Sequence, residues 1–111
     1  MRDFFSKKNV IITGGNSGSG LSISRAFLNL GSNVIRIDKK FDTKIGSSDF
    51  IFNLEKYEKL DVLINKIKKK FKKIDVLVNN AGITLPSKDS WKNYEVYQKT
   101  LAILIQIAFY N

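Results

Sequence analysis

Four of the seven glycines fall between positions 14 and 20, in the segment Thr13-Gly14-Gly15-Asn16-Ser17-Gly18-Ser19-Gly20. Such concentration marks a local backbone requirement, because glycine reaches dihedrals that other residues avoid. The apolar run Val10-Ile11-Ile12 precedes the segment and a helical pattern follows it. A glycine loop between a strand and a helix suits a pyrophosphate. Backbone N–H groups at the helix start lack partners there, and no Cβ blocks close approach. Gly14, Gly18 and Gly20 meet those needs. Asp38 ends the next strand, roughly 20 residues on, where a carboxylate can accept both hydroxyls of a ribose. An ATPase P-loop needs Lys and then Ser/Thr after its last glycine. Leu21 and Ser22 stand there, which excludes it. The rival reading is a glycine-rich turn without a ligand. Placement between strand and helix, with Asp38 in register, weighs against it.

Other chemistries are absent by composition. The 111 residues contain neither Cys nor His. That rules out a disulfide framework, a thiolate nucleophile, a Cys/His zinc site and a triad with an imidazole base. No Asp/Glu cluster has metal-ligand spacing. With 19 Lys+Arg against 10 Asp+Glu the net charge is +9. Much of that charge lies in Lys66, Lys68, Lys69, Lys70, Lys72 and Lys73. A polyanion-binding patch is one reading of this run. A solvated helix face whose cations suit the negative end of the helix dipole is the other, and it is favoured. No RNP-type aromatic motif, zinc-finger spacing or basic zipper supports a specific nucleic-acid partner.

These groups need elements to hold them. The composition, 43% hydrophobic and 26% charged, is that of a folded chain, and the length suits one domain spanning 1–111. Strands are predicted at 9–13, 34–37, 49–52 and 74–78. A helix is predicted from Gly18 to Leu30, with Leu21, Ala26, Phe27 and Leu30 on its apolar face and Gly31 as its stop. Leu54, Tyr57, Leu60, Ile64, Ile67 and Phe71 step by three and four and predict an amphipathic helix. Helix returns near Trp91, with Trp91, Tyr94 and Tyr97 as packing residues, and continues to the end. Phe4 and Phe5 are expected to cover an edge or the bottom of the sheet. Alternation of continuous apolar strands with helices predicts a parallel sheet covered on both faces. The N-terminal residues lack the apolar run of a secretory signal. The apolar segment 101–109 falls short of the roughly 20 residues of a membrane span. A soluble, cytoplasmic protein is expected, without a membrane.

Thr13-Gly-Gly-Asn-Ser-Gly-Ser-Gly20 resembles the TGxxxGxG signature of the short-chain dehydrogenases/reductases. Asn79-Asn80-Ala81-Gly82 is similar to their NNAG motif after the fourth strand. The resemblance covers essentially the whole chain but only the N-terminal half of the family's fold. It implies a Rossmann-like, doubly wound α/β sheet, truncated to about four strands with flanking helices. It further implies a cofactor site in which Gly14, Ser17, Gly18, Ser19 and Gly20 line the phosphates and Asp38 holds the adenosine ribose. Asn53 would stand near the adenine, while Asn80, Ala81 and Gly82 would line the cofactor beyond the fourth strand. Asn79 would help hold the sheet. NAD is the expected cofactor, with NADP as the alternative, because an acid at Asp38 repels a 2′-phosphate. Lys39 and Lys40 blur that preference.

The sequence also departs from the family. Family catalysis uses a Tyr with Lys four residues later and an upstream Ser; the lysine lowers the tyrosine pKa for proton exchange with the substrate oxygen. Four residues after Tyr57, Tyr94 and Tyr97 stand Asp61, Gln98 and Leu101, and Tyr110 has no such residue. The family's Asn on the following helix is missing, since both registers place another residue, Gln98 or Leu104, there. Asn53 replaces the usual Asp, and Ser19 a usual apolar residue. The expectation is the dinucleotide-binding part of an oxidoreductase acting on a carbonyl/alcohol pair, inactive as this chain alone. The alternatives are a non-catalytic module that binds a cofactor or partner, and, less favoured, a basic nucleic-acid-binding domain. In the family the helix corresponding to 101–109 often packs between subunits, which implies a homo-oligomer.

Overall fold

The computed structural model describes residues 2–16, 18–42, 45–54 and 56–80, and the single positions 98, 102 and 105. The elements run α1 (Arg2–Phe5), β1 (Asn9–Thr13), α2 (Gly18–Asn29), β2 (Asn33–Asp38), β3 (Asp49–Ile51), a 3-10 turn (Tyr57–Lys59), α3 (Leu60–Phe71) and β4 (Val76–Asn79). The four strands form one sheet in the order β3-β2-β1-β4. Every pairing is parallel, with Ile11 opposite both Ile35 and Leu77. This is the α/β architecture that the alternating pattern predicts.

Val10, Ile11 and Ile12 are fully buried because β1 lies inside the sheet and both of its faces are covered. Val10, Ile12 and Val34 pack with Ile23 and Phe27 of α2. Ile11, Ile35 and Ile37 pack with Leu60, Ile64 and Ile67 of α3, and Ile74 closes that core. Each such side chain contributes roughly 1.5–3 kcal/mol by leaving water. Truncating Ile11 to Ala would therefore cost about 2–5 kcal/mol, cavity included.

Helix ends are held by specific bonds. α2 stops in a Schellman turn: Ser32 N–H donates to Phe27 O at 3.0 Å and Gly31 N–H to Leu28 O at 3.0 Å. Gly31 takes the left-handed φ of 84° that this turn requires. The carbonyls at the end of α3 receive Lys72 N–H, bonded to Lys68 O at 2.7 Å, and the Asn9 amide, which donates to Phe71 O at 3.1 Å and Lys73 O at 2.8 Å. Asn9 thereby ties α3 to the start of β1.

Several boundaries differ from the sequence expectation. α3 begins at Leu60, not Leu54, because Leu54 reaches the same core from a turn. β4 begins at Val76: before it, Asp75 exchanges backbone and side-chain bonds with Asn9. On α2 the buried positions are Gly20 and Ser24, flanked by Ile23 and Phe27, and Ala26 is exposed. Small residues let this helix approach the sheet closely. α1 has no expected counterpart. Its Phe5 stacks edge-on against Phe27 at 5.4 Å, whereas Phe4 is mostly exposed. Of the helix expected from Trp91, the structure describes Gln98, Ala102 and Ile105, all helical; the remainder, with 101 and 103–104, lies outside the described residues. Among the described residues no helix is long and apolar enough to cross a membrane.

Candidate functional site

The glycine loop lies at the carboxyl end of the sheet, between the end of β1 and the start of α2. Gly14 N–H donates to Ile37 O at 2.8 Å, so the loop leaves β1 still bonded to β2. Gly14 has a φ of 68° and Gly18 of 57°, the left-handed region. At Gly18 a Cβ would meet nothing within 4 Å. Gly20 is the opposite case. A Cβ there would overlap the Gly14 carbonyl oxygen and lie 2.6 Å from Asn80 Nδ2. Asn80 in turn donates Nδ2 to Gly14 O at 3.2 Å. Gly20 and Asn80 thus close the inner side of the loop, while the position beside Gly18 is open.

Asp38 is the last residue of β2, on the same edge of the sheet. Its Oδ2 accepts Asn16 N–H at 3.0 Å and its Oδ1 accepts Lys39 N–H at 2.7 Å. A carboxylate oxygen has about two acceptor directions, so each retains one. Asn16 is fixed again by reciprocal bonds with Asp42: Nδ2 donates to Asp42 Oδ2 at 2.9 Å, and Asp42 N–H donates to Asn16 Oδ1 at 2.9 Å. The Asn16 bond, aided by Lys40 3.6 Å away, holds the Asp42 carboxyl below the usual carboxylate range.

Beneath the loop lies an ion pair. Arg36 Nε and Nη2 donate to Asp49 Oδ1 and Oδ2 at 2.7 and 2.6 Å. The Asp49 bond raises the Arg36 pKa despite burial. Burial pushes the Asp49 carboxyl up, but the Arg36 bond, the Gly46 N–H and the Arg36 charge together bring it below its usual value.

Asn53 follows β3 at this same end; Phe52 N–H beside it reaches Asp38 O at 2.8 Å. Asn79 points into the sheet, where its Oδ1 accepts the Thr13 hydroxyl at 2.8 Å. Its Nδ2 is buried and is the one such side-chain atom without a hydrogen bond among the described residues. Ser19 is exposed at the start of α2. Ser17, Ala81 and Gly82 lie outside the described residues. The structure therefore brings Gly14, Gly18, Ser19, Gly20, Asp38, Asn53 and Asn80 to one end of the sheet. Sequence reasoning missed the Asn16–Asp42 clasp and the Arg36–Asp49 pair. For the pair a signal existed: Arg36 interrupts the otherwise apolar run Val34 to Ile37.

A sequence profile of the short chain dehydrogenases matches residues 8–109. The chain belongs to the short chain dehydrogenase family. Among solved structures it resembles the ligand-free aldohexose dehydrogenase of Thermoplasma acidophilum, with a TM-score of 0.73 at 25% identity over 93% of this chain and 46% of that one. The 2-keto-3-deoxy-D-gluconate dehydrogenase of Streptococcus agalactiae gives 0.75 at 22% identity, over 95% of this chain and 46% of that one. A short chain dehydrogenase of Leptospira borgpetersenii serovar Hardjo-bovis, solved with bound NAD+, gives 0.78 at 19% identity, over 97% and 47%. No curated protein sequence matches the chain. This short chain dehydrogenase sequence spans just under half the length of each of those structures.

The site's shape suits a dinucleotide. An inner wall that admits no Cβ, open space beside Gly18, a helix start and a carboxylate with remaining acceptor directions are features a pyrophosphate and a ribose require. Among the described residues no acidic cluster could hold a metal ion.

Proposed function

We propose that this chain forms the dinucleotide-binding part of an oxidoreductase that works on a carbonyl/alcohol pair, with NAD preferred over NADP. One observation carries the reading: the open glycine loop is tied through Asn16 N–H to Asp38, 3.0 Å away. When bound, the nicotinamide cofactor would supply the hydride chemistry. Gly14, Ser17, Gly18, Ser19 and Gly20 would receive the pyrophosphate at the start of α2, where backbone N–H groups and the helix dipole favour an anion. Asp38 would accept the adenosine ribose hydroxyls on its remaining acceptor directions. Asn53 would face the adenine, and Asn80, Ala81 and Gly82 would line the path beyond β4. Asn80 also keeps Gly14 in place.

The family's proton donor is a tyrosine with a lysine four residues on, and none of the four tyrosines of this sequence has one. Hydride turnover is therefore not expected from these 111 residues, and the substrate is a small molecule only where that chemistry is supplied. Residues 1–111 are read as one cofactor-binding unit.

The test is calorimetric titration of the full chain with NAD+ and NADP+. Micromolar to millimolar binding of NAD+, tighter than NADP+, is expected. Asp38→Ala should weaken NAD+ by about tenfold or more, the worth of charge-assisted bonds to two hydroxyls. Absence of binding to either dinucleotide by folded protein refutes the reading.

A further inference from the structure

Arg36 is held on every side. Its register partner across β2 and β3 is Asp49. The two form a bidentate pair with side chains only 15% and 9% exposed. The remaining nitrogen, Nη1, reaches Gly15 O at 3.4 Å, and the guanidinium lies 4.7 Å from the Phe41 ring centre. Asp49 is itself anchored, since its Oδ2 also accepts Gly46 N–H at 2.9 Å. A Cβ on Gly15 would press on the Arg36 stem at 3.0 Å, so the loop rests directly on this side chain.

The location gives the pair its meaning. Arg36 and Asp38 are two residues apart on one strand, hence on one face of the sheet. Arg36 touches the carbonyl of Gly15, and the next residue, Asn16, donates its N–H to Asp38. The guanidinium and the carboxylate proposed to meet the ribose are therefore bonded to opposite ends of the Gly15–Asn16 peptide. An unpaired guanidinium there would have two effects. It would neutralise Asp38, and it would offer a planar fork to a phosphate. Asp49 occupies that fork and balances its charge, so that Asp49 outweighs Asp38 in holding the Arg36 cation. Lys39 and Lys40 do not substitute for it. Lys40 is 78% exposed beside Asp42, and a lysine meets a phosphate only as a solvated point charge, equally in wild type and in an Asp49 variant.

Resting on the dinucleotide reading above, we propose that Asp49 is a specificity-determining residue. By sequestering Arg36 it keeps the site selective for a dinucleotide with a free 2′-hydroxyl and against one with a 2′-phosphate.

The experiment is titration of the full chain and its variants with NAD+ and NADP+ at one ionic strength, with circular dichroism to verify folding. The wild type binds NAD+ more tightly. Asp49→Asn shifts the NAD+/NADP+ affinity ratio toward NADP+ by about tenfold, the lower end for one charge-assisted bond. Adding Arg36→Gln to Asp49→Asn returns the ratio to within about twofold of wild type, because the freed cation is gone. Loss of structure alone would weaken both ligands in parallel and leave the ratio unmoved. Should Asp49→Asn fail to fold, Asp49→Ser removes the charge while keeping a hydrogen-bond partner, and the same shift is expected. An unchanged ratio in a folded variant, or a shift that survives in the double variant, overturns the proposal while the dinucleotide reading stands. A wild type that binds neither dinucleotide overturns both.

Discussion

Replacing Gly20 with Ala is the sharpest single perturbation of the loop. The added methyl would lie 2.6 Å from Asn80 Nδ2 and 2.7 Å from the Gly14 carbonyl carbon, and would overlap its oxygen. Carbon contacts settle at about 3.5–4.0 Å, so Gly14 or α2 must retreat by about 1 Å. Neither is free to do so. Gly14 is bonded at its N–H to Ile37 O at 2.8 Å and at its carbonyl to Asn80 at 3.2 Å. Ile23 and Phe27 hold α2 against the sheet by packing on Val10, Ile12 and Val34. Overpacking costs about 1–3 kcal/mol and each lost bond about 0.5–1.5 kcal/mol, which together give about 4 kcal/mol. Gly18→Ala is the control. It meets nothing within 4 Å and has only the left-handed φ of 57° to tolerate. That costs about 1–2 kcal/mol. Thermal unfolding followed by circular dichroism measures both. Gly20→Ala should lower Tm by about 15–30 °C and Gly18→Ala by about a third of that. Equal losses for the two variants would refute the steric reasoning.

Asn9→Ala removes the amide that bonds Phe71 O and Lys73 O and the oxygen that accepts Asn33 Nδ2 at 3.0 Å; urea unfolding should show a loss of about 1–2 kcal/mol. Acid sensitivity is expected at Asp49. Its folded pKa lies below its unfolded one, so its contribution is present above the unfolded pKa and is lost as pH falls through the folded value. Asp49→Asn should therefore be less stable than wild type at neutral pH, and the gap should narrow below about pH 4; urea midpoints across that range check it. Replacing Lys66, Lys68, Lys69, Lys70, Lys72 and Lys73 with Gln should cut heparin retention, and wild-type retention should fall steeply with salt, as non-specific polyanion binding does. Retention indifferent to salt would refute that account.

The fold's alternation was legible because buried parallel strands are written as continuous apolar runs, and Val10-Ile11-Ile12 is one. The glycine loop was legible from spacing alone. What makes Gly20 obligatory was not, since the obstructing group beside Gly14 is Asn80, 60 residues further on, brought there only by the β1–β4 pairing. Arg36–Asp49 was hidden for the same reason: its partners meet through the register of β2 on β3. The start of α3 was misplaced because periodicity reports which residues share a face, not their backbone dihedrals. Leu54 serves the α3 core from a turn and so reads as helix. Ala26 was misassigned because α2 buries Gly20 and Ser24, small residues that a search for apolar positions passes over.

Asp38 has two roles that reinforce each other. As a structural acceptor it fixes Asn16 N–H and Lys39 N–H, and the Asn16–Asp42 clasp locks the same turn from the other side. As the proposed ribose ligand it needs its remaining acceptor directions aimed outward, and those two backbone bonds are what aim them. Asn16, Asp38 and Asp42 are thus fixed to one another within the protein itself. The same coupling means that no substitution of Asp38 acts on the ligand alone. Asn would turn an amide N–H toward a backbone N–H, and Ala would leave both donors unpaired. Asp49 is the better probe of selectivity, because it reaches the ribose end only through Arg36 and leaves the Asn16–Asp38 bond in place.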